Sequence, residues 1–593
     1  MPGSGAGQWL YVAAPILAYG LASLGLAAWG WGSGAATGHP VGGFFRAISW
    51  SLHRLTGLPG WSMAGALTAL TAAGIAAVGV YWDVAWHIDL GRDDELFTPS
   101  HTMILIGLNG LVFAAAVAVL FANLDRGPGE RRRRLRVPWS ALVLGALGLG
   151  ASAAFPLDDL WHRAYGVDVT LWSPTHLQLI LGGSLSPIAV WLMVREGRRA
   201  PDAAPTGLGR AIEVLSFGAI LTGLSIVQGE FDFGVPQFQV RYQPILIAAA
   251  AGLGLVAARI ALGRGGALLA TAGFLVLRGT FALLVGGALN QTVPRFPLYL
   301  AAALAVEVVA RVAGTERRAR FALCSGVAVA TVGVGAELVW IRLSGWGSLT
   351  TNGLPVTLLL GLVAGCGAAV LGAALVGGAV PSGGARLRCL LVGGAGLALL
   401  VALAIPLPRG VGAVQATISL DRLDGQALVA VQLEPAAAAE DATAFGLIAW
   451  QGGGRVLSEL ERVGPGRYQS SKPIPVDGSW KSMVGLQRGG EVMAAPIYLP
   501  ADPEIGAAAV PALAERRVAF SRNTDILLRE AKDGPAWPSL LSYAGVALVL
   551  SLWLALFTRA AARVQPPVTG GRRLRMPAAV GAEPRSGLKE REA

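Results

Sequence analysis

Residues 83–101 read DVAWHIDLGRDDELFTPSH and residues 158–176 read DDLWHRAYGVDVTLWSPTH, two stretches offset by 75 positions without a gap. Asp83, Trp86, His87, Gly91, Asp93, Leu96, Pro99 and His101 recur as Asp158, Trp161, His162, Gly166, Asp168, Leu171, Pro174 and His176. Thr98/Ser173 and Ser100/Thr175 are close substitutions. The chain has six histidines, and four occupy these paired positions. A repeated Asp-x3-His-x13-His pattern is what a repeated metal-ligand set looks like, and the flanking sequence places both copies at membrane-helix ends.

Asp83 and His87 are four residues apart at the end of an apolar run, so a continuing helix puts both on one face. An acidic loop follows, and Thr98-Pro99-Ser100-His101 opens the next run. Thr98 suits a helix N-cap and Pro99 the first helical position, where the missing N–H costs nothing. His101 then lies in the first turn, at the depth of His87. Ser173-Pro174-Thr175-His176 repeats the device opposite Asp158 and His162. Each helical hairpin (62–122 and 138–194) is thus expected to offer one carboxylate and two imidazoles. Asp93, Asp168 and the extra carboxylate Asp159 are candidates for orienting the imidazoles. His39 and His53 have no partners at ligand spacing and read as ordinary loop histidines.

The surrounding sequence defines the class. Of 593 residues, 54% are hydrophobic and 14% charged, and apolar runs near the length that spans a bilayer recur along the chain. Glycine and alanine dominate those runs, as where helices pack closely in lipid. The expected fold is an all-α polytopic membrane protein with about 13 transmembrane helices. Spans are expected near 9–31, 62–82, 99–122, 138–156, 174–194, 211–228, 242–261, 266–286, 294–312, 320–341, 354–378, 387–405 and 538–561. The first run is expected to be a retained span, not a cleaved signal peptide.

The net charge of +11 is carried by arginines in short loops: 131–134 and 136; 195, 198 and 199; 317, 318 and 320; 386 and 388. That is the positive-inside pattern, which argues for lipid and against nucleic acid as partner. It predicts an N-terminus outside, both His motifs outside, and a basic tail (562–593) inside a bacterial-type cytoplasmic (inner) membrane. The stretch Phe44 to Leu55 is expected on the inner side, as an interfacial helix. Cys324, Cys366 and Cys389 show neither metal spacing nor a disulfide framework.

Residues 411–520 differ in kind. Short alternating runs such as Gln426–Leu433, Ala444–Trp450 and Glu491–Leu499 are broken by Gly and Pro, which predicts an extracytoplasmic antiparallel β-sandwich inserted before the last helix. It holds no His or Cys, so partner contact or capping of the membrane site is its expected role. A helical linker near Val510–Lys532 is expected to lead into the final span, within a segment at 521–561. No phosphate-binding loop, nucleophile elbow or haem-attachment motif occurs.

Imidazole plus carboxylate suits Cu(II), Zn(II) or Fe(II), and copper binds most tightly at such a site. Glu230 and Asp232 are expected in an outer loop, and Glu307 and Glu337 lie inside apolar runs. They read either as a proton or cation route or additional metal ligands, or as structural pairs with an arginine such as Arg278 or Arg311.

Trp86-His87, Arg92-Asp93 and Phe97-Thr98-Pro99-Ser100-His101 together resemble the signature of the C subunit of particulate methane and ammonia monooxygenases, copper-dependent membrane enzymes. The resemblance covers roughly residues 80–190. By position it implies Asp83, His87 and His101 as copper ligands, and it matches a second His pair to His162 and His176. Asp158 stands where that family typically has an amide. The resemblance implies copper-dependent oxidation of a small apolar substrate. A copper transport or delivery protein, with Glu307 and Glu337 along its path, and a membrane scaffold with a partner-binding outer domain are the alternatives.

Overall fold

The computed structural model describes residues 40–564 except 90–96, 126, 133–134, 167–170, 236–237, 346–352, 378–410, 452–453, 504, 528 and 530–533, together with Ala14, residues 17–22 and Gly25. An amphipathic helix, α1 (Pro40–Thr56), precedes two long hairpins, α2 (Gly60–Asp89) with α3 (Pro99–Leu124), and α4 (Trp139–Tyr165) with α5 (Pro174–Gly197). The arginine-rich connection between the hairpins is a small ribbon of β1 (Glu130–Arg132) and β2 (Leu135–Val137). Then follow α6 (Gly207–Ile226), the short α7 (Gly229–Phe233), α8 (Tyr242–Leu262) and α9 (Gly266–Leu283), which ends in a π turn over Leu284–Ala288. Next come α10 (Leu300–Ala313), α11 (Arg318–Ala328) running through a second π turn into α12 (Val334–Leu343), and α13 (Leu354–Gly377).

Among the described residues ten helices are long and apolar enough to cross a membrane, which suggests a multi-pass membrane protein. The expected spans at 9–31 and 387–405 lie outside the described residues, apart from isolated positions in the first. The expected span at 294–312 is shorter in the structure. Pro294 and Pro297 deny the backbone two donors, and helix begins only at Leu300, leaving 14 residues, or about 21 Å. The buried carboxylate of Glu337 accepts the N–H groups of Leu298 and Tyr299 at 3.0 and 2.6 Å, serving the backbone at this late start.

Small residues bring helices together. A Cβ on Gly107 would sit 2.5 Å from the Ala76 nitrogen, and one on Gly79 would sit 2.8 Å from the Ile104 nitrogen, so α2 and α3 touch backbone to backbone. The last helix, α15 (Ala536–Val564, after the five-residue α14, Asn523–Leu527), lays Trp553 over Gly150 and Gly182 of the second hairpin. Among the described residues, Cys324 and Cys366 form no disulfide.

The β domain comprises β3 (Gln415–Leu423), β4 (Gln426–Glu434), β5 (Ala444–Gln451), β6 (Gly454–Gly464), β7 (Arg467–Ser470), β8 (Ile474–Pro475), β9 (Lys481–Arg488), β10 (Glu491–Tyr498), β11 (Glu515–Ala519) and β12 (Ser521–Arg522). All pairings are antiparallel, and Asp424 and Gly425, both at positive φ, turn β3 into β4 as a two-residue hairpin requires. Instead of two separate sandwich sheets, the strands form one hydrogen-bonded path, β11-β3-β4-β7-β6-β5-β9-β10-β12, with β8 beside β4. The long strand β6 makes the difference: Gly454–Glu459 pairs with β5, and Leu460–Gly464 with β7. The sheet thereby curls, barrel-like, around one core that includes Val429, Leu447, Val484 and Met493. The expected helical linker is in part strand, since β11 continues the sheet edge beside β3, and among its described residues only Asn523–Leu527 is helical.

Candidate metal centres

The last two turns of α2 carry Asp83 and His87, and the first turn of α3 carries His101. Thr98 caps α3 as its spacing predicts, its hydroxyl accepting the His101 N–H at 3.2 Å with Pro99 in the first turn. Ser173 repeats this for the His176 N–H at 3.1 Å. Both histidines are thereby fixed by backbone geometry, not by side-chain packing alone.

The donors converge within each hairpin. His101 Nε2 lies 3.1 Å and His87 Nε2 3.7 Å from Asp83 Oδ1. His176 Nε2 lies 3.3 Å and His162 Nε2 3.5 Å from Asp158 Oδ2. One ligand atom from each member of either triad falls within 4.8 Å of the other two. Donors held about 2.0–2.2 Å from a shared ion are about 3.3–3.6 Å apart at tetrahedral angles, so little movement separates these arrangements from a coordination shell.

The carboxylates are positioned by hydroxyls whose role sequence spacing did not reveal. Ser100 Oγ donates to Asp83 Oδ1 at 2.7 Å, and Thr175 Oγ1 to Asp158 Oδ1 at 2.5 Å. Their retention as Ser/Thr in the repeat was the signal available. Each hydroxyl also meets the capping one, Thr98 with Ser100 at 2.9 Å and Ser173 with Thr175 at 3.2 Å. Cap, proline, carboxylate holder and ligand are thus four consecutive residues. His162 Nε2 is buried and, among the described residues, has no hydrogen-bond partner, although it faces Asp158. A buried ring nitrogen without a partner, beside a carboxylate and a second imidazole, fits the place of a metal ligand.

The triads are separate clusters. Phe155, one turn before Asp158, packs its ring edge-to-face on His101 with centroids 6.2 Å apart. An apolar cavity of about 110 Å³ lies deeper in the bundle, with Val80, Ile104, Leu179 and Ile180 in its wall. These residues are three or four positions from Asp83, His101 and His176, so the near end of the cavity lies about one helical turn inside both centres, and its wall runs on to Leu70 and Pro187.

The remaining candidates have local partners. Asp93 and Asp168 lie outside the described residues. Asp159 pairs with Arg163 at 2.7 Å. Glu230 accepts the Leu171 N–H at 3.0 Å, and Asp232 pairs with Arg278 at 2.6 Å while Tyr81 donates to it at 3.2 Å. Both acids are on α7, which thus touches both hairpins. Glu307 pairs with Arg259, not Arg311, at 2.9 Å and accepts the N–H groups of Gly265 and Ala267 at the start of α9. Glu337 faces backbone amides in place of an arginine. His53 lies 3.7 Å from Asp202, and His39 is outside the described residues.

The β domain docks at the triad end of the bundle. Ile88, next to His87, packs against a cluster containing Ile448, Trp450, Met483 and Ala494. Gln487 latches the domains together, accepting the Val240 N–H at 2.8 Å and donating to the Phe238 carbonyl at 3.1 Å. In comparison with known proteins, no family model, curated protein or solved structure matches the chain.

Proposed function

We propose that this chain is a copper-binding protein of a bacterial-type cytoplasmic membrane that oxidises a small apolar substrate with dioxygen. The observation that carries the reading is the duplicated donor set: two triads of one carboxylate and two imidazoles, prearranged at 3.1–3.7 Å, with the buried His162 Nε2 having no hydrogen-bond partner among the described residues. The donor set suits copper above zinc or iron, and the resemblance of residues 83–101 to the copper membrane monooxygenases points the same way.

Asp83, His87 and His101 would hold one ion, and Asp158, His162 and His176 a second. Copper so bound supplies one-electron and dioxygen chemistry. Three protein donors leave room for a further ligand. Ser100 and Thr175 keep each carboxylate turned toward its imidazoles, and the apolar cavity one turn below would hold a few carbon atoms out of water. At about 110 Å³ it is somewhat smaller than the roughly 150 Å³ apolar cavities that take up benzene. The triads and the arginine-rich ribbon lie at opposite ends of their hairpins, which supports an orientation with the triads and the β domain outside and the C-terminus inside. The β domain is read as a cap over the first triad and a surface for further subunits.

The test is oxygen consumption by membranes containing the wild-type chain and supplied with a quinol as two-electron donor, across a panel of small alkanes, beside His87→Ala membranes. Substrate-dependent consumption that vanishes in the variant is expected; equal rates would sink the proposal. Copper uptake into proteoliposomes without oxygen consumption would assign the same ligands to transport or delivery instead.

A further inference from the structure

Between the β domain and the helical bundle lies a cavity of about 940 Å³, within the size range of small-molecule sites. Its wall carries Arg295, Arg342, Arg455 and Lys472 against a single described carboxylate, Glu459. Glu459 faces Arg342 at 3.7 Å, with both side chains mostly exposed. Among the described residues, Arg295 and Arg455 have no carboxylate partner; each instead reaches a backbone carbonyl at the end of α12. Arg295 Nη1 donates to the Ser344 carbonyl, and Arg455 Nη2 to the Gly345 carbonyl at 2.5 Å.

A helix C-terminus attracts positive charge, but it amounts to about half an elementary charge, and two guanidinium groups meet this one. Among the described residues, the buried Arg455 Nη1 has no hydrogen-bond partner. It sits so close to Gly234 that a Cβ there would lie 1.0 Å from it, and Gly234 has φ +72°, so the glycine makes room for the guanidinium. Burial, followed by the charge of Arg295, draws the Arg455 guanidinium down to about 10, a sign of positive charge gathered without an anion. Burying the Arg455 guanidinium in this way is costly unless a counter-charge joins it, and the exposed Arg295 beside it adds positive charge of the same sign.

The wall beside these arginines is apolar. Leu338, Val339 and Ile341 of α12 and Leu354 of α13 line it. Val339 is 57% exposed and the nearby Leu343 80%, so this wall continues onto a face suited to lipid. We infer that the cavity binds an anionic amphiphile, whose phosphate or carboxylate head is held by Arg295 and Arg455 and whose apolar chain lies along Leu338, Val339, Ile341 and Leu354. Arginine's fork of donors matches such a head in two-point contact. The head could belong to a bilayer lipid or be a free phosphate, and the open apolar wall favours the lipid.

The full chain would be reconstituted with equal parts dioleoylphosphatidylglycerol and dioleoylphosphatidylcholine, and its retained lipid read by native mass spectrometry. The expected result is phosphatidylglycerol retained about tenfold over phosphatidylcholine, a preference lost in Arg295→Gln/Arg455→Gln and reduced but not abolished in Arg295→Lys/Arg455→Lys, which keeps the charge without the fork. Equal retention of the two lipids by the wild type would overturn the inference. So would a persistent preference in the glutamine variant. The wild-type comparison stands even if that variant fails to fold. Millimolar inorganic phosphate added as competitor identifies the source: an unchanged adduct supports the lipid, while its displacement by phosphate bound in the same arginine-dependent way supports a site for the head alone.

Discussion

Ser100 and Thr175 donate to the carboxylates that the imidazoles face, and neither needs to touch a metal to matter. Partners that orient ligands are typically worth about 10- to 100-fold in metal affinity. Ser100→Ala is therefore expected to weaken binding at the first triad by that amount, read by competition with a calibrated chelator, with helix content unchanged; affinity equal to wild type would show that the hydroxyl does not position Asp83. The caps carry a different consequence. Thr98→Ala removes the acceptor of the His101 N–H and is expected to cost about 1 kcal/mol of stability, seen as a lower unfolding midpoint. At this scale the sequence was legible wherever chemistry is local. The capping roles of Thr98 and Ser173 followed from the residues beside them, and the grouping of the four histidines followed from the repeat. Glu307 was not readable in the same way, because its partner Arg259 is 48 positions away on another helix and competes with the nearer Arg311.

Helix α2 runs to Asp89, although its apolar character fades near residue 82, and α4 runs to Tyr165 through Pro156. Hydropathy ended both spans early because the last turns carry the polar ligands themselves. The opposite error arose at 294–312, where composition is apolar but two prolines keep the chain irregular until Leu300. At 510–520 the expected helix yields to β11, whose pairing with β3 lies about a hundred positions away in sequence. The spacing within a hairpin depends on the glycine contacts. Gly107→Val would force α3 off Ala72 and Ala76, spreading Asp83 and His87 away from His101. The expected outcome is loss of metal from the first triad with the second retained, measured as a halved stoichiometry; unchanged stoichiometry would mean that the close packing does not set the donor distances.

Across the whole molecule, the order of domains was readable from composition, whereas their docking was not. The contacts that seat the β domain on the triad end join Gln487 to Phe238 and Val240, and Ile88 to Trp450. None leaves a local pattern. Removing the latch tests whether the domain shields the first centre. Gln487→Ala would leave the Val240 N–H and the Phe238 carbonyl unpaired, costing about 1–3 kcal/mol of docking. Metal transfer from the first triad to an external chelator should then accelerate several-fold at unchanged stoichiometry; an unaltered rate would show that the β domain is no barrier.

The most direct test of the account is the metal content of the chain purified without a histidine tag and loaded with copper, beside His87→Ala, His162→Ala and the double variant. The two-centre account predicts two coppers per chain in the wild type, one in each single variant and none in the double variant. A wild-type chain that holds no metal after loading, or a double variant that holds as much as the wild type, would contradict it.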